Sequence, residues 1–95
     1  HVLQGFEAYN GKWIAYSLGN FVFSATKSPK SAETGVLTAE CSKDGVCALT
    51  LHPMFAKQAQ PAPMDEAAGK QLLARLSAVS TAVRVEENGK LVEKR

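Results

Sequence analysis

Long apolar runs are missing from these 95 residues, and no uninterrupted stretch approaches the roughly 18 residues a membrane-spanning helix needs. That excludes a helical membrane span within this sequence. A dominant charge is missing too: 11 Lys and Arg stand against 9 Asp and Glu, a net +2. So small an excess does not point to nucleic acid or an anionic membrane as a partner. Cysteine is scarce. Cys41 and Cys47 have no second Cys/His pair nearby to complete four zinc ligands. There is no glycine-rich phosphate loop, and Ser17 is not in a G-x-S-x-G elbow. No catalytic residue and no cofactor-binding motif is therefore assigned. Aromatic residues are nearly missing after position 23: Phe6, Tyr9, Trp13, Tyr16, Phe21 and Phe23 precede it, and only Phe55 follows.

What is present is ordinary for a folded chain, with 45% hydrophobic and 21% charged residues. The sequence opens at His1 directly in strand-like residues. This predicts the C-terminal part of a longer protein, with a domain trimmed by processing as the alternative. The patterning predicts an α+β fold, mostly antiparallel β-hairpins with one covering helix.

Three turn signals organise the chain. Asn10-Gly11 suits a two-residue type I′ turn, whose central positions both need positive φ. That register sets Tyr9 against Lys12, Ala8 against Trp13, Phe6 against Ala15 and Leu3 against Leu18. Residues 1–23 then form a hairpin, and the nearly all-apolar run 13–23 predicts cover on both faces. Gly19-Asn20 interrupts this run and predicts a bend, a bulge or a close backbone approach. Asp44-Gly45 marks a second hairpin over residues 36–55. A two-residue loop there mixes apolar and polar faces. A three-residue loop, 43–45, sets Cys41 against Cys47, Ala39 against Leu49 and Leu37 against Leu51 on one inward face. Asn88-Gly89 predicts a terminal ribbon over 83–93, polar on one face and at an edge, with Glu87 facing Lys90 and Val85 facing Val92.

Residues 24–35 read as an exposed loop and 56–64 as a proline-containing connector. A helix is predicted over 65–80. Asp65 caps it, and Ala68, Leu72, Leu76 and Val79 form its apolar stripe with Leu73 beside them. Lys70 and Arg75 lie off the stripe, toward solvent.

Few polar residues are candidates for chemistry. Cys41 and Cys47, as opposed neighbours, can form a disulfide in an exported protein or remain two buried thiols. His52 reads as a solvated strand residue and Glu7 as a structural carboxylate. The register that pairs Leu3 with Leu18 extends to set His1 opposite Asn20, so the two most unusual polar positions lie side by side. A frayed terminus and a turn residue are the plain alternative.

Three spaced blocks carry a resemblance: His1-Val2-Leu3-Gln4, then Glu7-x-Tyr9-x-Gly11-Lys12, then Tyr16-Ser17-Leu18-Gly19-Asn20-Phe21. In this order they resemble the C-terminal signature of the bacterial capsule-synthesis CapA family. Those proteins are associated with poly-γ-glutamate and have a calcineurin-like metallophosphatase fold. The likeness is specific over about a quarter of the chain. It implies part of a four-layer α/β/β/α fold, a divalent metal, and His1 as one metal ligand with Asn20 orienting it. The family's Asp motif and Asn-Asn-His motif are absent, as are the first His and the Pro of its H-P-H block. The resemblance thus implies a metal site completed only by residues outside this chain, which would not be catalytic alone. It also implies a cell-envelope or extracellular setting in bacteria and a phosphoester substrate. The remainder of the parent protein, or a second chain, would pack on residues 1–23 and leave exposed apolar surface there when absent. The alternative is a non-enzymatic β-rich module that binds or organises an anionic polymer.

Overall fold

The computed structural model describes residues 1–22, 32–57 and 60–94. Its elements run β1 (Phe6–Tyr9), β2 (Lys12–Ala15), β3 (Glu33–Cys41), β4 (Cys47–Lys57), β5 (Gln60–Pro63), α1 (Glu66–Ala78), β6 (Val83–Val85) and β7 (Leu91–Glu93). Every pair of neighbouring strands within the three sheets is antiparallel, so the fold is α+β. Among the described residues no helix is long and apolar enough to cross a membrane.

The first hairpin has the register its Asn-Gly turn dictates, Phe6 with Ala15 through Tyr9 with Lys12. Asn10 and Gly11 both take positive φ, 51° and 73°. The regular strand stops at Ala15, however, and an isolated bridge between Leu3 and Leu18 extends the pairing. The expectation that residues 13–23 are covered on both faces is corrected. Trp13 is half-buried, while Ile14, Tyr16, Phe21 and Val22 are exposed. Phe23 lies outside the described residues.

The second hairpin pairs Cys41 with Cys47, Ala39 with Leu49 and Leu37 with Leu51. Ser42 N–H donates to the Val46 carbonyl at 2.9 Å, closing the loop over 43–45. It is longer than the 36–55 expected, because Glu33, Thr34 and Gly35 belong to the strand and not to a loop. The loop expected over 24–31 lies outside the described residues. The inward face is also shorter than expected: Leu49 and Leu51 are buried, but Ala39 and Cys41 are exposed. The ladder simply runs past the end of the core. The connector expected over 56–64 contains a third strand, with Met54 paired to Pro63 and Ala56 to Pro61.

Asp65 caps α1 by accepting the Ala68 N–H at 2.8 Å, and Glu66 and Arg75 complement the helix dipole at its two ends. Leu72, Leu73 and Leu76 enter the core with Phe6, Leu49, Leu51, Val83, Val85 and Leu91. Full burial of one such leucine stabilises by about 1.5–3 kcal/mol. Val79, expected on the stripe, is the C-cap and is 61% exposed, because the helix has ended there.

The terminal ribbon differs from expectation by one residue. Val85 faces Leu91, and Arg84 faces Val92. Glu86 N–H donates to the Lys90 carbonyl at 2.9 Å, so the loop has three residues and Glu87 does not face Lys90. This register turns Val85 and Leu91 together into the core, and the ribbon is an integral layer packed on α1. Its turn touches β4, where Leu51 N–H donates to the Gly89 carbonyl at 2.8 Å.

Gly69 is buried in α1 opposite Pro53, and a Cβ there would meet Pro53 Cγ at 3.7 Å, an ordinary contact. Gly69→Ala should therefore stabilise the chain by about 0.5–1 kcal/mol, from helix propensity and a less flexible unfolded state. Urea denaturation would show a higher midpoint with an unchanged slope. A lower midpoint would mean that the Pro53 contact is too tight.

Candidate functional site

The first four residues and residues 17–20 run side by side. Gln4 N–H donates to the Ser17 carbonyl at 3.0 Å, and Leu3 bridges Leu18. The start of β3 holds this pair of segments from beside it. Thr34, fully buried, donates its hydroxyl to the Leu18 carbonyl at 2.6 Å. Gly19 has φ +79°, and a Cβ there would lie 2.9 Å from the Glu33 carbonyl oxygen. Both the backbone angle and the close approach call for glycine.

This packing delivers Asn20 to His1. The two side chains meet at 3.2 Å between His1 Nδ1 and Asn20 Oδ1. A carboxamide oxygen only accepts, so Nδ1 carries the proton in this contact. Ordered imidazole ligands are commonly held this way, one nitrogen fixed so that the other points at its target.

A second polar pair stands in the same hairpin. The Tyr16 hydroxyl donates to Glu7, on the diagonal one step beyond the Glu7–Ile14 pair. The Tyr16 pKa is raised, chiefly by this hydrogen bond, then by partial desolvation and by the neighbouring carboxylate charge. Next to the Leu3 segment, Arg75 of α1 pairs with Glu33 of β3. The pair lines a cleft of about 210 Å³ with Val2, Leu3, Leu76 and Val79. Thr34 and Glu33 carry no signal of these contacts in the sequence, because both fall in a polar stretch that reads as a loop. Nothing local signals contacts across 16 and 42 residues of sequence.

The other candidates are elsewhere. Cys41 and Cys47 form a disulfide at the far end of the second hairpin, with Cα atoms 4.0 Å apart. Trp13 Nε1–H donates to the Cys47 carbonyl at 3.0 Å and fastens the first hairpin to the second. His52 is exposed, with Nε2 3.1 Å from the Thr38 hydroxyl.

Among the described residues no group of three or more His, Cys, Asp or Glu is placed to hold a metal ion. One imidazole is not a metal site, so the described residues do not by themselves fit a metal, and no catalytic step follows from them. What the arrangement provides is an oriented imidazole at one end of a β layer.

Residues 1–25 match the family described as bacterial capsule synthesis protein PGA_cap. Over 93 residues the chain is 33% identical to the PGA biosynthesis protein CapA of Bacillus subtilis (strain 168), covering 96% of this chain and 24% of that protein. Over 75 residues it is 31% identical to the capsule biosynthesis protein CapA of Bacillus anthracis, covering 79% of this chain and 18% of that protein. The chain thus spans about a quarter or less of the length of these curated relatives. Their likeness along most of the chain, together with the family match across the His1–Asn20 segment, shows that it belongs to the bacterial CapA capsule-synthesis family.

Proposed function

We propose that this chain is the C-terminal segment of a capsule-synthesis protein and supplies one edge of a metal-dependent, phosphoesterase-like hydrolytic centre. In this reading it is not catalytic alone. The parent would have a four-layer metallophosphatase-like fold, act in the making of a poly-γ-glutamate capsule, and reside in the bacterial cell envelope or outside the cell. The observation that carries the reading is the His1–Asn20 contact, which orients an imidazole at the end of the signature segments. His1 would be one ligand of a divalent metal whose other ligands lie outside these residues. The disulfide fits an oxidising compartment. The exposed Tyr9, Ile14, Tyr16, Phe21 and Val22 fit a surface on which the rest of the protein, or a second chain, packs. A non-enzymatic module that binds or organises an anionic polymer is the weaker reading, since 11 Lys and Arg stand against 9 Asp and Glu and leave a net charge of only +2.

The test is calorimetric titration of the longer protein with zinc or manganese. Asn20→Ala should weaken metal binding by about 10–100-fold, the usual loss when a ligand's hydrogen-bond partner is removed. His1→Ala should weaken it further. Unchanged affinity in His1→Ala would refute the ligand assignment. Turnover of a chromogenic phosphodiester by the 95-residue chain alone would overturn the view that it needs other residues.

A further inference from the structure

The two edges of the three-stranded sheet β3-β4-β5 are chemically unlike. The ladder fixes which backbone groups point outward. Ser42 N–H bonds to the Val46 carbonyl, so alternation makes 41/47, 39/49 and 37/51 pairs without mutual hydrogen bonds. The N–H and C=O groups of Gly35, Leu37 and Ala39 therefore point away from β4. On the other side, Met64 N–H bonds to the Pro53 carbonyl, and the same alternation turns residues 61 and 63 outward. Both are prolines and have no N–H to offer. The β5 edge is blocked in the way natural sheets block edges. The β3 edge is not: past its first residues, which Leu18 and Gly19 flank, it contains no proline, pairs with no other strand among the described residues, and from residue 36 to 41 carries one charge, Glu40.

We infer that the outer edge of β3 is a pairing edge, occupied by a strand from the part of the longer protein outside these 95 residues. This rests on the reading of the chain as a segment of a larger CapA-family protein, whose relatives extend over about four times the matched length. The occupant is an extended segment that offers N–H and C=O groups at alternate residues opposite Leu37 and Ala39, the outward positions beyond buried Gly35. Backbone hydrogen bonds would supply its hold, as in other strand additions.

Amide hydrogen exchange on both proteins tests this. In the 95-residue chain the Leu37 and Ala39 amides should exchange quickly, and in the longer protein at least 100-fold more slowly. Ala39→Pro in the longer protein should abolish the added protection at Leu37, because it removes only an outward N–H. Fast exchange in both proteins would overturn the inference. So would slow exchange in the short chain, whether concentration-dependent with a dimer in sedimentation, which makes a second copy the occupant, or independent of concentration. Metal titration reads a different part of the molecule. A failed exchange test with His1-dependent metal binding intact would sink the strand pairing and leave the proposed function standing.

Discussion

Gly89→Ala is expected to lower the stability of this chain by about 3 kcal/mol or more, the size reserved for mutations with an identifiable steric cause. Gly89 has φ +90°, and a Cβ built on it would lie 2.0 Å from the Leu51 carbonyl oxygen. The strained backbone costs about 1–3 kcal/mol for a residue with a side chain. The clash cannot be relieved by a rotamer change, since the obstacle is backbone. The β6–β7 turn must move off β4, which breaks the 2.8 Å bond from Leu51 N–H to the Gly89 carbonyl. A lost hydrogen bond adds about 1 kcal/mol. In a domain of this size the melting temperature should fall by about 12–24 °C. Asn88→Ala separates the causes. It keeps the glycine but removes the acceptor of the Lys90 N–H, at 3.0 Å, and should cost only about 1 kcal/mol. A Gly89→Ala variant that melts within a few degrees of the parent would show that the turn does not dock against β4.

Loss of the Cys41–Cys47 disulfide is the second large effect. The cysteines are six residues apart, and releasing so short a loop in the unfolded chain costs about 2 kcal/mol on the chain-entropy estimate. The structural consequence is local and has its own reporter. Trp13 is the single tryptophan, and its indole N–H binds the Cys47 carbonyl. Reduction, or paired Cys41→Ser and Cys47→Ser substitutions, should fray the hairpin tip and loosen Trp13. Its emission should shift to longer wavelength before global unfolding. A reduced protein with unchanged emission and a stability loss under about 0.5 kcal/mol would show that the bond follows the hairpin rather than securing it.

The expected polarity of the first hairpin also has a physical resolution. A nearly all-apolar run such as residues 13–23 reads as a strand covered on both sides. Yet Tyr16 and Val22 are 57% and 70% exposed. The composition describes an environment that these residues alone do not build, and only the inner side, with Phe6 and half-buried Trp13, finds neighbours here.

The sequence by itself determined what short-range chemistry can decide. Asn10-Gly11 sets the first register because only two central residues need positive φ. Alternation around Asp44-Gly45 sets the second, because a slip of one residue would turn Leu49 and Leu51 to solvent. Asp65 starts the helix because its carboxylate reaches the Ala68 N–H. The signature blocks place His1 beside Asn20 through the same arithmetic. The tertiary structure alone decided the rest. Asn88-Gly89 suits a loop of two residues or of three. The three-residue loop prevails because it turns Val85 and Leu91 onto α1 and lets Gly89 meet Leu51. Pro61 and Pro63 read as a connector, yet they lie on an edge strand whose missing N–H groups face outward. Thr34 and Glu33 look like loop residues until β3 passes Leu18 and α1 brings up Arg75. Each of these depends on a partner distant in sequence, and no local pattern encodes where such a partner will be.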